Sequence, residues 1–379
     1  DNSMSDKPIR SCPYIYSFDG EKYFMDAEPL GGAICEGLQR SDYSRLEHLA
    51  PLNGKFNVLV KNLNEEKQRL DEMKFYSVSH KSGSNTAVDN KGDFYEYKSE
   101  IPPSKVTNDE GMDITKFFVE NDLIRWQNDL PVSSQEKMQN SKDKLSIKFP
   151  KPRDMKNAAL IINGGTSYFG SNMIYELLKL QGDKVDDWYK SVYSDSKAQS
   201  ELFNTMHRDE LYYMDIKVKE GNDLVSQGIM RGNGPMTDED IIFPMDLSNI
   251  NSDTIEVILT PSKYFWKFDK ISLSYDYKKA DNMELLNTSL ENDILTAIDK
   301  KYYNMDTKKD ELNIAVDVPQ NFDKSKNDIY VKTTGWYDII LPKDKSLETT
   351  MISNLFNSPG GILKYAIEIY LNELIAIKL

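Results

Sequence analysis

A chain of 379 residues, 39% apolar and 11% aromatic, is long enough for two or three domains with packed cores, which excludes a disordered ground state. The 61 Asp and Glu outnumber the 47 Lys and Arg and leave a net charge of −14, and no basic cluster interleaved with aromatics offers the positive surface that phosphate binding needs. No nucleic acid partner is therefore expected, the acidic surface is read as a source of solubility, and no run of about 18 uncharged apolar residues supplies a transmembrane segment.

The 22 Tyr and 15 Phe, set among many Asn, Asp, Ser and Thr, suit short strands and polar turns, so a mainly β (α+β) fold is expected. Asp19-Gly20 predicts a two-residue type I′ hairpin that sets Phe18 opposite Glu21, Tyr16 opposite Tyr23 and Tyr14 opposite Met25, with Ile15 and Phe24 on the other face. Asn53-Gly54 marks a second hairpin turn before the alternating Phe56, Val58 and Val60. A strand over residues 72–80 and a turn at Asn90-Lys-Gly92 follow, then a short helix capped by Asp113 with Ile114, Phe117 and Phe118 on one face. Residues 1–126 thus read as an N-terminal antiparallel β-sheet domain, and the polar stretch 127–143 as a linker.

Strand patterns recur at residues 145–149, 158–163, 211–218, 225–230, 255–259 and 270–275. Ile174, Leu177, Leu178, Val185, Trp188, Tyr189 and Val192 keep helical spacing, which predicts an inserted helix over 171–193 with Trp188 turned into the core, weakened at Gly182. Phe268-Asp-Lys-Ile-Ser-Leu273 resembles the last strand of galactose-binding-like modules, and that resemblance implies a jelly-roll-like β-sandwich over residues 145–277. Residues 278–309 are charged and read as a solvated helix plus loop. Leu312 to Val318 alternates as a strand, and Thr334-Gly335 separates two more, which makes residues 278–379 a small C-terminal β-unit. Its last segment, from Ile362, is amphipathic and reads as a helix, with a hairpin around Asn372-Glu373 as the alternative.

Cys12-Pro-Tyr-Ile-Tyr16 with Phe18-Asp-Gly20 and Tyr23-Phe-Met-Asp26 resembles the CPF-aliphatic-Y-x-aromatic-D/N-G signature of an uncharacterised group of bacterial exported proteins and lipoproteins. The resemblance implies an extracytoplasmic protein, secreted or lipid-anchored, and a start at Asp1 without signal peptide or lipobox then reads as a trimmed or mature fragment. In such an oxidising compartment Cys12 and Cys35 could form a disulfide that contributes about 3 kcal/mol; two reduced, buried thiols are the alternative.

Chemical motifs are sparse. His48, His80 and His207 keep no HxH or HExxH spacing, and no GxSxG elbow is present, so neither a metal nor a covalent nucleophile is expected. Gly164-Gly-Thr-Ser-Tyr-Phe-Gly170 lacks the Gly-Lys-Ser/Thr ending of a phosphate loop and reads as a strand-to-helix turn. Asp89-Asn-Lys-Gly-Asp93 lacks the EF-hand pattern and reads as a hairpin turn. No cofactor is expected. Tyr168, Phe169 and Trp266 are the candidate ligand-facing residues, because exposed aromatic faces stack on sugar rings. The function expected is a non-enzymatic binding or structural module of the cell envelope, with a carbohydrate or protein ligand. The alternative is a glycan-active enzyme with two carboxylates facing one cleft.

Overall fold

A computed structural model describes residues 13–132, 140–290 and 294–378. The first third of the chain forms strands Tyr14–Phe18 (β1), Tyr23–Ala27 (β2), Arg40–Arg45 (β3), Lys55–Lys61 (β4), Glu66–Ser79 (β5), Asn85–Val88 (β6), Phe94–Tyr97 (β7) and Lys105–Thr107 (β8). The middle contributes Leu145–Pro150 (β9), Asn157–Thr166 (β10), Tyr213–Glu220 (β11), Asp223–Arg231 (β12), Glu239–Asp246 (β13), Thr254–Leu259 (β14) and Trp266–Ser274 (β15). After these come Tyr277–Lys279 (β16), Met283–Leu286 (β17), Tyr303–Met305 (β18), Glu311–Asp317 (β19) and Asn327–Ile339 (β20). Helices are Tyr168–Lys179 (α1), Val185–Ser194 (α2), Ser196–Arg208 (α3), Thr349–Asn357 (α4) and Gly361–Lys378 (α5). The fold is mainly β, and among the described residues no helix is long and apolar enough to cross a membrane.

The strands assemble into sheets ordered β19-β4-β1-β2, β17-β5-β20-β3, β15-β10-β13-β6-β7-β16 and β12-β11-β14-β9-β8. These sheets ignore the expected boundaries. β19 and β20 complete sheets founded by the first strands, so residues 278–379 are not a separate β-unit, and β6 to β8 extend the central sheets, so residues 1–126 are not self-contained. Periodicity reports that a segment is a strand and which face it buries; it does not report which edge will satisfy its backbone groups. The central part is β-sandwich-like: Ile147 and Phe149 of β9, Leu160 and Ile162 of β10, Ile216 and Val218 of β11 and Val257 of β14 share one core.

The first hairpin forms with a different register from the one its Asp-Gly pair predicts. Phe18 faces Tyr23 and Tyr16 faces Met25. Asp19 N–H donates to Lys22 O at 3.0 Å while Asp19 Oδ1 accepts from Glu21 and Lys22 N–H at 2.8 Å each, so the loop holds four residues. A side-chain acceptor offers the backbone a longer turn than the two-residue rule counts. The slip of two residues keeps the parity of Tyr16 to Phe18 against Tyr23 to Met25, and a bulge between Ile15 and Tyr16 then sets Ile15 opposite Ala27.

Other expectations are revised. The helix over 171–193 is two, broken where Gly182 takes φ +52° and where a Cβ would meet Lys345 O; the polar α3 follows unannounced. Thr334-Gly335 does not separate strands but sits at a bulge in the continuous β20, and the missing side chain lets Arg69 O of β5 approach. The described part of 278–309 holds β16 to β18 and no helix. The polar 127–143 stretch is tied down at its described ends, by Trp126 bridging Phe268 and by Asn128 Nδ2 donating to Asp143 Oδ2 at 2.9 Å. Cys12, and with it the disulfide, lies outside the described residues; Cys35 is buried, which pushes its thiol up to about 12.

Candidate functional site

The three aromatic candidates do not share a surface. Tyr168, on the first turn of α1, is 49% exposed and points its hydroxyl at Met236 Sδ. Phe169 is buried edge-on against Tyr264 and Tyr370. Trp266 is 1% exposed, donates its indole N–H to Glu210 O at 2.7 Å and stacks on Phe268. Phe169 and Trp266 therefore belong to the core and cannot face a ligand. Trp188 is only half-buried, packed on the core rather than inserted.

Exposed aromatic surface lies instead where α3 meets β11. On β11, Met214, Ile216 and Val218 point inward and leave Tyr213, Asp215 and Lys217 on the outer face, as strand alternation requires. Phe203 of α3 lies 5.2 Å from Tyr213 between ring centroids, and His207 stacks on Tyr213 within 8° of parallel at 5.9 Å. Phe203 and Tyr213 line one wall of a groove of about 690 Å³, and His207 backs Tyr213 without lining that wall. The other walls come from β12, from Gly37 to Arg40, and from the 89–93 turn. In that turn Asp89 Oδ1 accepts from Lys91 and Asp93 N–H, as a hairpin loop needs and a calcium loop does not. Asn90 Nδ2 crosses to donate to Ile229 O of β12, latching two walls together. Gln227 Oε1 accepts from Asp246 N–H at 3.2 Å. Asn90 Oδ1 and Gln227 Nε2, on residues that line the groove, have no hydrogen-bond partner among the described residues.

Gly232 N–H donates to Tyr212 O at 2.9 Å, so the next pair, Tyr213 with Arg231, occupies a non-hydrogen-bonded position of the ladder, where side chains stand closest. Arg231 thus lies beside Tyr213.

A second, acidic cleft of about 390 Å³ lies between β13 and the β2–β3 region. Asp238 is held by Lys267 at 2.6 Å and by Arg125, and Asp26 by His48 at 2.5 Å. Burial pushes the Glu239 carboxyl up to about 8, although Ser44 Oγ donates to it at 2.6 Å. Burial likewise raises Asp240, which accepts from Asn163 Nδ2 at 2.8 Å. Glu239 and Asp240 are neighbours on one strand and project to opposite faces, so they are not a converging pair. No three His, Cys, Asp or Glu among the described residues are grouped to hold a metal ion.

Sequence reading missed the groove because its parts come from an unpredicted helix, an edge strand and a turn far apart in the chain. The available signal was the outward parity of Tyr213 and Arg231 on strands that were themselves legible.

No protein-family model and no curated protein matches the chain. Among solved structures, a chain from the atomic structure of Sulfolobus Turreted Icosahedral Virus is similar at 6% identity, covering 89% of this chain and 98% of that one with a TM-score of 0.15. A likeness at that score carries no argument about fold or function.

Proposed function

We propose that this protein is a non-enzymatic binding module of the bacterial cell envelope that holds a glycan in the groove between α3, β11, β12 and the 89–93 turn. The carrying observation is the Phe203–Tyr213 ring pair beside the side-chain amides of Asn90 and Gln227 in one groove. Ring faces take up the C–H surface of a sugar while the amides and cations take its polar groups. The envelope location rests only on the Cys12 to Asp26 signature, a sequence resemblance that the observed hairpin register counts against. A glycan array followed by titration calorimetry tests the reading. Binding that Tyr213→Ala or Phe203→Ala weakens without unfolding supports it, and no binding to any glycan overturns it.

A glycan-active enzyme is the second reading, favoured by one observation: Glu239, with its carboxyl near 8, is protonated at neutral pH as a general acid must be. Hydrolysis of an array-positive glycan that Glu239→Gln abolishes would move the function to the acidic cleft.

A further inference from the structure

Arg231 has a position unlike that of the chain's other partly buried arginines. Arg40, Arg45, Arg69, Arg125 and Arg208 each hold a carboxylate, of Asp42, Asp328, Asp306, Asp238 and Asp209 respectively. Arg231 is half-buried too, yet its guanidinium has no hydrogen bond or ion pair among the described residues. In a chain with 61 acidic side chains, a neighbouring carboxylate would be easy to supply. Those near the groove are committed elsewhere: Asp93 to Lys279 at 2.7 Å, Asp215 to Ser226 and Lys217, and Asp89 to its own turn. Lys91, on the same wall system, has an exposed ammonium without a partner among the described residues. A partly desolvated cation without a counter-charge is a cost that an arriving anion removes, and guanidinium matches a carboxylate bidentately.

Resting on the groove as a glycan site, we infer that its ligand is an acidic glycan of the uronic-acid class, with a ring carboxylate on Arg231 and a sugar face on Tyr213. Their adjacent positions on paired strands place the charge beside the ring, as a carboxylate attached to a pyranose ring requires. An acidic peptide would carry the same charge, but an added peptide strand needs free backbone groups along β12, and Asn90 already occupies Ile229 O. The net charge of −14 is no obstacle at this range, since repulsion from remote carboxylates is screened beyond about 8 Å at physiological salt.

The experiment titrates the intact protein with a galacturonate oligosaccharide, its methyl ester, the neutral galactose oligosaccharide of the same length and linkage, and an oligoglutamate peptide. The uronate should bind about 10- to 100-fold tighter than the ester or the neutral oligosaccharide, and Arg231→Gln should erase that difference while Arg231→Lys keeps part of it. Because the ester removes the charge from the ligand, the test survives a variant that fails to fold. Equal binding of uronate, ester and neutral chain overturns the inference and leaves the groove a glycan site. Oligoglutamate binding as tightly as uronate, with the same dependence on Arg231, overturns the glycan assignment in favour of an acidic peptide. Failure of all four probes overturns the inference together with its uronate class, whereas the array separately decides the groove.

Discussion

The groove and the acidic cleft are both concave and lined with charge, yet their charges are arranged in opposite ways. In the cleft Asp238 meets Lys267 and Arg125, Asp26 meets His48, Glu47 meets Arg45, and Glu239 and Asp240 are raised by burial. In the groove the cationic groups of Arg231 and Lys91 have no counter-charge among the described residues. A site that is internally matched contributes to folding, whereas a site left unmatched has free energy to offer a ligand. Substitutions in the cleft should therefore be read in stability, and substitutions in the groove in affinity.

The largest effect is expected at Lys267, whose side chain is 7% exposed and bonds both Asp238 and Pro235 O. Lys267→Ala leaves the buried Asp238 carboxylate with Arg125 alone and should cost about 3 kcal/mol in chemical denaturation. A loss below about 1 kcal/mol would mean that the cleft is not a structural site.

Glu239 gives the contrast a pH dependence. Its carboxyl rises from an ordinary 4.5 to about 8 in the folded protein, so between those values the native state binds a proton that the unfolded chain has released. The associated stability is complete at acid pH and is lost as pH rises through about 8. Glu239→Gln should flatten that slope in denaturation midpoints measured from acid to alkaline pH. An unchanged slope would show that Glu239 ionises normally and that the cleft is better hydrated than its burial indicates.

At Tyr213 the expectation reverses. Tyr213→Ala should change stability by about 1 kcal/mol, because the ring is half-exposed, while glycan affinity falls at least about tenfold. Stability loss of the size expected at Lys267 would place Tyr213 with the core and dissolve the distinction between the two regions.

How much of this was legible depended on whether a property was local. The inward faces of β9, β10, β11 and β14 follow from alternation and were found, as was the C-terminal helix, which α5 confirms over its hairpin alternative. Partner choice was not local. Thr334-Gly335 resembles a turn until β5 is laid beside it, when the glycine is seen to admit Arg69 O. Aromatic exposure was not local either: Trp266 and Tyr213 both sit on strands, and only the neighbouring elements, Glu210 and Gly232 against one and open groove beside the other, decide which is core. The pairing of Arg231 with Tyr213 needed the register of β11 on β12, which no composition count could provide.

The smallest effect should come from Asn90, which touches both the fold and the groove. Its amide N–H donates to Ile229 O, but the 89–93 turn is also closed by Asp89, so the turn should survive without it. Asn90→Ala should then cost about 1 kcal/mol, the net worth of one hydrogen bond. Its second consequence is more specific. With the latch removed, an outward-facing carbonyl is uncovered on β12, the strand that also exposes Leu224 and Val225, and unpaired edge groups are a template for strand pairing. Sedimentation of Asn90→Ala should reveal weak self-association absent from the parent, together with reduced glycan affinity as the two groove walls lose their tie. A variant that sediments like the parent and keeps full affinity would show that the walls are held by packing alone, and the groove would then resemble the cleft in being determined by the fold rather than kept open by a single side chain.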